Sequence, residues 1–298
     1  MMKKFAPFLV MFAGILWGTM GLFVRRFNDW GLAAMQIVEL RSILAMLLLL
    51  LGLLIYDRRL LRIRLKDWWC FLGTGVLSMT FFNYCYFSTI RALSLSVAAT
   101  LLYTSPIFVM LLSALCFRER ITAKKVLCLV LAFGGCVLVS GVLRGETSLS
   151  LSGILLGLGS GFGYALYSIF SRVALDRGYH SLTITLYTFV FSSIGGVFLT
   201  DFGQIVSAFS GRSWGSWAFF LFYVLLTTVL AYIVYTLGMS RLETSRAAVI
   251  AAVEPVAATL FGFLFFREVP SLLMICGMAL VLAALVLLSS GRKKREVA

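Results

Sequence analysis

Three ionisable side chains, Glu39, Arg41 and Glu254, fall inside long apolar runs. A charge deep in hydrocarbon costs several kcal/mol, so each marks a partner, a substrate or a proton path. Glu254 stands beside Pro255 in TSRAAVIAAVEPVAATLFGFLFFRE, residues 244–268. The proline leaves the Ala251 carbonyl without its helical N–H. Ala247, Ala251, Ala258 and Gly262 lie on the helical face of Glu254, leaving room for another backbone or for a ligand. Glu39 and Arg41 are two residues apart, so on a helix they point about 200° apart and cannot pair. Arg41 lies roughly 12 Å from one end of its apolar run and Glu254 roughly 15 Å from the other end of its own, at 1.5 Å per residue. In a hydrocarbon core of about 30 Å those depths nearly meet. Arg41 and Glu254 are therefore expected to face one central cavity, paired or bridged by water. A fixed ion pair tying two helices and a site for a substrate or a coupling proton both fit.

Polar aromatic and amide groups gather in the same runs: Asn83, Tyr84, Tyr86, Tyr103, Tyr164, Tyr167, Tyr232 and Tyr235. Tyr84, Tyr86, Tyr232 and Tyr235 lie near run ends, where an interfacial belt explains them as well as a pocket does. Tyr103 and Tyr167 lie deeper and suit a pocket. Trp17, in the middle of the first run, either lines the cavity or packs. The candidate substrate-binding set is Glu254, Arg41, Glu39, Trp17, Asn83, Tyr86, Tyr103, Tyr167 and Tyr235, and a small amphipathic or zwitterionic solute suits it. Pro106 and Pro255 are candidate gating bends, or static kinks.

Other chemistries find no support. There is no HExxH, and the single histidine, His180, sits by a predicted loop. The six cysteines form no CxxC pair, which argues against a zinc site or a disulfide framework. SGFGYALYS lacks the lysine and strand context of a phosphate loop, so no cofactor is expected; small residues at a helix contact explain it better.

These groups must be held by membrane helices. Of 298 residues, 61% are hydrophobic and 13% charged, and the mean hydropathy is +1.01. A soluble domain cannot hide that much apolar surface. Ten windows are long enough to span: 5–24, 33–55, 68–90, 93–117, 124–143, 151–172, 181–201, 216–239, 244–266 and 271–290. The Gly- and Ser-containing connection after Asp201 has room for a short surface helix. The net charge of +14 is a topology signal rather than a sign of nucleic-acid binding. With the N-terminus inside, only Arg25, Arg26, Arg91, Arg144, Arg212 and Arg267 of the 26 Lys and Arg fall outside, and Arg41 falls within a span. Both termini are therefore expected in the cytoplasm. The cluster from Arg58 to Lys66 and the tail with Arg292, Lys293, Lys294 and Arg295 are expected to touch anionic lipid headgroups.

The chain also repeats itself. Shifted by 149 residues, Tyr86 falls on Tyr235, Ser96 on Ser245, Ala98-Ala99 on Ala247-Ala248, Pro106 on Pro255, and Phe117-Arg118-Glu119 on Phe266-Arg267-Glu268. Five helices separate the copies, so the second copy enters the membrane from the opposite side, as in transporters built from inverted repeats. The halves are read as 1–145 and 146–298. The register is clear for spans 3–5 against 8–10 and weak for spans 1–2 against 6–7. The proline belongs to both halves, whereas Glu254 has Ser105 as its counterpart.

At this point the chain resembles the drug/metabolite transporter superfamily, in particular its ten-helix EamA-type members. The resemblance rests on ILWGTMGLFVRR with Trp17-Gly18, on Arg41, on ALSLSVAATLLYTSPIFVMLLSALCFRERIT and its repeat AAVIAAVEPVAATLFGFLFFRE, and on Gly134 and Gly135. It departs from the pattern where Val269-Pro270 follows Glu268 directly. The resemblance implies ten helices, cytoplasmic termini, and movement of small metabolites, often amino acids and often outward. The expected protein is an all-α plasma-membrane secondary transporter, not an enzyme, working by alternating access. An importer or exchanger of the same fold, or a receptor or assembly subunit without transport, is the alternative. Composition and spacing carry no signal for substrate identity, coupling ion, direction or oligomeric state.

Overall fold

The structure is a computed structural model and describes residues 2–144 and 150–289; the basic tail lies outside the described residues. Among them there is helix and no strand. Ten helical segments run in order. They are α1 (Phe5–Asp29), α2 (Ala34–Tyr56), α3 (Trp68–Leu72, Gly73–Thr80 and Phe81–Ala92), α4 (Leu95–Phe117), α5 (Ala123–Ser140), α6 (Leu151–Asp176), α7 (Ser181–Leu199), α8 (Trp214–Met239), α9 (Thr244–Phe266) and α10 (Leu272–Ser289). Eight of them are long and apolar enough to cross a membrane, and α10 adds a shorter apolar helix. α3 is more polar, but its Thr74, Ser78, Thr80 and Asn83 are all buried, so lipid does not meet them. The protein is a multi-pass membrane protein.

Local sequence sets where helices begin. Ser94, Thr122 and Ser150 each accept a backbone N–H three residues on, from Val97 (3.3 Å), Lys125 (3.3 Å) and Gly153 (3.2 Å), and so start α4, α5 and α6. Asp201 does the same for a surface helix, Phe202–Phe209, in the connection after α7.

The repeat holds down to helix ends. α4 is two half-helices, Leu95–Leu102 and Ser105–Phe117; α9 is Thr244–Ala251 and Glu254–Phe266, each bound offset by 149. α5 and α10 match in the same way. Both α4 and α9 end on an arginine in the left-handed region, Arg118 at φ 54° and Arg267 at φ 57°. Pro106 and Pro255 do not bend a continuous helix, as the sequence suggests. Each sits in the first turn of a new half-helix, where a missing N–H costs nothing. Two features carry no sequence signature. Gly73–Thr80 of α3 and Val224–Leu230 of α8 are π-helical and fall at nearly matching repeat positions. α1 breaks at Thr19, whereas α6, its counterpart, is unbroken.

Packing follows the same exchange of halves. α5 lies on α10 and α2 on α7, while α3 against α6 mirrors α8 against α1. At the end where α4 stops and α9 starts, the 58–67 connection is pinned to the α6–α7 corner. Arg177 donates to Asp67 at 2.6 Å and Tyr179 at 2.7 Å. The Tyr179 hydroxyl, followed by the cations Arg177 and Lys66, holds the Asp67 carboxyl below its usual 3.8 despite its burial.

Candidate functional site

The site begins with the break in α9. α1 lies directly against it because Gly14 and Gly18 carry no side chain. A Cβ on Gly18 would fall 2.9 Å from the Glu254 carbonyl oxygen and 2.7 Å from Ala257 Cβ; one on Gly14 would fall 3.0 Å from the Ala251 carbonyl oxygen. That approach brings Trp17, one residue before Gly18, to the wall of the same cavity that Glu254 lines.

A cavity of ≈ 580 Å³ opens from this point toward the end of the bundle where α4 begins. Glu254 and Ala258 come from α9, Arg41 from α2, Asn83 and Tyr86 from α3, Trp17 and Met20 from α1, and Tyr164 from α6. Its volume is within the range of small-molecule sites. Its mouth is edged by Arg25, Asn28, Ala34, Ile90 and Leu95. Leu95 is 62% exposed, whereas its repeat counterpart at the other end, Thr244, is 0% exposed. The cavity thus has one open end and one closed end.

A layer of rings forms the closed floor. Trp17 stands 5.2 Å from both Tyr232 and Tyr235 and 6.2 Å from Tyr164, and Tyr167 stands 5.1 Å from Tyr232. The Tyr167 hydroxyl meets Thr236 Oγ1 at 2.9 Å, that of Tyr235 meets Ser168 Oγ at 2.8 Å, and that of Tyr232 donates to Met79 Sδ at 3.2 Å. These hydroxyls are committed to protein partners, so the floor closes the cavity as a plug.

The two charges face the space differently. Glu254 has the Tyr164 phenol beside it. Arg41 is 4% exposed, its Nη1 lies 3.6 Å from Met20 Sδ, and its Nε has no partner. No ion pair joins Arg41 to Glu254 among the described residues. A buried guanidinium whose Nη1 meets a thioether and whose Nε lacks a partner is well placed to receive an anionic group.

Of the sequence-derived set, Glu254, Arg41, Trp17, Asn83 and Tyr86 line the cavity. Asn83 also donates to the Met79 carbonyl at 2.7 Å, which fixes its amide. Tyr103 does not line it. With Pro106 it borders a ≈ 20 Å³ void behind Glu254. Tyr167 and Tyr235 lie beneath, in the plug. Glu39 lies elsewhere, because its 200° separation from Arg41 turns it onto α7. There it is 1% exposed, a Cβ on Gly196 would collide with its carboxylate, and its Oε1 lacks a partner. The belt alternative fails for Tyr232 and Tyr235, at 5% and 2% exposed, because α8 packs that face on α1; Tyr84, at 48%, does face outward. Met20, Tyr164 and Asn28 also line the cavity and are not in that set. Tyr164 was signalled by the glycines around it, which let α6 approach α3 and α4.

The chain matches the EamA-like transporter family twice, over residues 4–141 and 151–290. It belongs to the EamA-like transporter family. An archaeal relative from Archaeoglobus fulgidus, named only as an uncharacterized transporter, is 29% identical over 218 residues, covering 71% of this chain and 75% of its own. The Bacillus subtilis uncharacterized transporter YwfM is 23% identical over 291 residues, covering 97% of this chain and 95% of its own. A solved crystal structure with 17% identity superposes with a TM-score of 0.78 over 96% of both chains, which shows the fold. This EamA-like protein is accordingly a membrane transporter.

Proposed function

We propose that the protein is a secondary transporter that exports small amphipathic or zwitterionic metabolites, amino acids among them, across the plasma membrane by alternating access. The carrying observation is the ≈ 580 Å³ cavity: open at one end, plugged by aromatic rings at the other, with Arg41 and Glu254 on its walls and no ion pair between them among the described residues. The halves, 1–145 and 146–298, rock about the cavity, and the breaks in α4 and α9 let each half-helix pair tilt. With both termini in the cytoplasm, the open end faces outward. Arg41 receives the carboxylate of the solute, the ring walls take its apolar part, and Glu254 takes an amine or a coupling proton. The basic loops rest on anionic lipid.

A panel of metabolites tested for uptake and efflux in proteoliposomes, with and without a pH gradient, tests this reading. At least one solute should move above empty vesicles. Flux absent for every solute in both directions sinks it.

A further inference from the structure

Glu119 and Glu268 are repeat partners, at the ends of α4 and α9, yet they are engaged differently. Glu119 caps the start of α9. Its Oε1 accepts the Thr244 N–H at 2.6 Å, and its Oε2 accepts the Ser245 N–H at 3.2 Å and the Ser245 hydroxyl. Lys125 bridges it to Glu243, at 3.8 and 2.9 Å, and the Glu119 side chain is only 11% exposed. A carboxylate on the first N–H groups of a helix also meets the positive end of the helix dipole. This is the closed end of the bundle.

At the open end the equivalent groups stand apart. The counterparts of Thr244 and Ser245 are Leu95 and Ser96, which start α4 with no carboxylate on their N–H groups among the described residues. Glu268 instead pairs with Arg25 at 2.6 Å, both side chains about half exposed (52% and 54%), on the rim of the mouth. The two corners are otherwise alike. The Glu119 N–H returns to the Ser113 carbonyl and the Glu268 N–H to the Gly262 carbonyl, both at 3.3 Å, after an arginine held in the left-handed region. That backbone is unfavourable for a non-glycine residue, and in both halves it sets the next residue's carboxylate toward the bundle.

From this we infer that Glu119 and Glu268 are alternating latches: each in turn caps the first turn of the other half's broken helix, and so decides which end of the cavity is shut. When the bundle opens at the other end, Glu268 leaves Arg25 and accepts the Leu95 and Ser96 N–H groups and the Ser96 hydroxyl, while Glu119 releases Thr244 and Ser245. Arg25 holds the open state by keeping Glu268 occupied. The latches are unequal by sequence. Lys125 and Glu243 have Met274 and Ser94 as counterparts, so the Glu119 latch has an extra ion pair and the state seen here is the favoured one. The inference rests on the alternating-access reading above.

The test needs no substrate. Single reporters Leu95→Cys and Thr244→Cys, placed in a chain with the two exposed thiols Cys116 and Cys276 replaced by serine, are labelled with a water-soluble maleimide in proteoliposomes. Glu119→Gln should raise labelling at position 244 about tenfold and lower it at 95, the scale of losing one charge-assisted hydrogen bond. Glu268→Gln should leave 244 closed and keep 95 fully reactive, and Arg25→Ala should lower labelling at 95. Ser245→Ala and Ser96→Ala, which delete one hydroxyl, should repeat the two directions at smaller size even where a glutamine variant folds poorly. Glu119→Gln moving both reporters in the same direction or moving neither, or Glu268→Gln opening 244 or closing 95, overturns the latch. Labelling that shifts as stated while no solute is transported overturns the transport reading and leaves the latch standing.

Discussion

Arg41 and Glu254 line one cavity from α2 and α9 without touching, each with a neutral group beside it: the Met20 thioether for the arginine and the Tyr164 phenol for the acid. Two opposite charges held apart across a space that admits a small molecule are expected to complete their pairing through what enters. Glu254→Gln keeps shape and removes charge. It should cut transport at least tenfold, since a hydrogen bond to a charged group contributes about 1.5–3 kcal/mol, and flatten its pH dependence. Flux against external pH in proteoliposomes measures this.

Glu39 is predicted to behave differently. It is buried against α7, away from the cavity, so Glu39→Gln should leave the KM of transport unchanged. Its thermal midpoint should hold or rise, because an isosteric amide is cheaper to bury than a carboxylate. Parallel transport kinetics and thermal unfolding decide it.

Gly18 is the close contact between α1 and the second half of α9. Gly18→Ala should destabilise the protein by about 1–3 kcal/mol, the usual cost of overpacking, because the atoms it meets are α9 backbone as well as Ala257 Cβ. Thermal unfolding of the purified protein reads the loss, and the same construction at Gly21, where a Cβ meets nothing within 4 Å, serves as the control.

Pro106 and Pro255 start the second halves of α4 and α9. Alanine supplies the N–H that would let each broken helix close up. Turnover should fall about tenfold, as a shift of about 1.4 kcal/mol in a two-state balance would produce, with expression less affected. Initial rates normalised to protein per vesicle check it.

Asp67 gives a pH signature outside the membrane-spanning helices. Its carboxyl is held below 3.8 in the folded protein, first by the Tyr179 hydroxyl and then by Arg177. A depressed carboxyl adds stability above its unfolded value and loses it as pH falls through the folded one. Asp67→Asn should therefore melt lower than the unmutated protein near neutral pH, and the gap should narrow as pH falls below 3.8. A gap that widens in acid contradicts the assignment.

The chain itself carried the repeat, with the 149-residue offset marked by Pro106, Pro255 and the two Phe-Arg-Glu corners, and helix bounds in α4, α5, α9 and α10 obey it. Arg41, Glu254, Asn83, Tyr86 and Trp17 were legible because polar groups in hydrocarbon must face something. Glu39 misled for the same reason, since burial against a glycine of α7 looks the same from sequence as burial in a cavity. Tyr232 and Tyr235 lie near a run end, which allows a belt role, but α1 covers that face, and helix depth does not reveal which face is covered. The π-helical turns in α3 and α8 follow from backbone packing and no side chain announces them. The prolines suggest bends or kinks in one helix because sequence shows the missing N–H but not the two residues of broken helix before each second half.

The central claim is that the cavity between Arg41 and Glu254 is where solute is carried. It is tested most directly by taking one solute moved by the unmutated protein and measuring its flux in proteoliposomes side by side for that protein, Arg41→Ala and Glu254→Gln. The account predicts flux at least tenfold lower in both variants, on the scale of one lost charge-assisted contact, with thermal stability kept. Flux unchanged in both variants would contradict it.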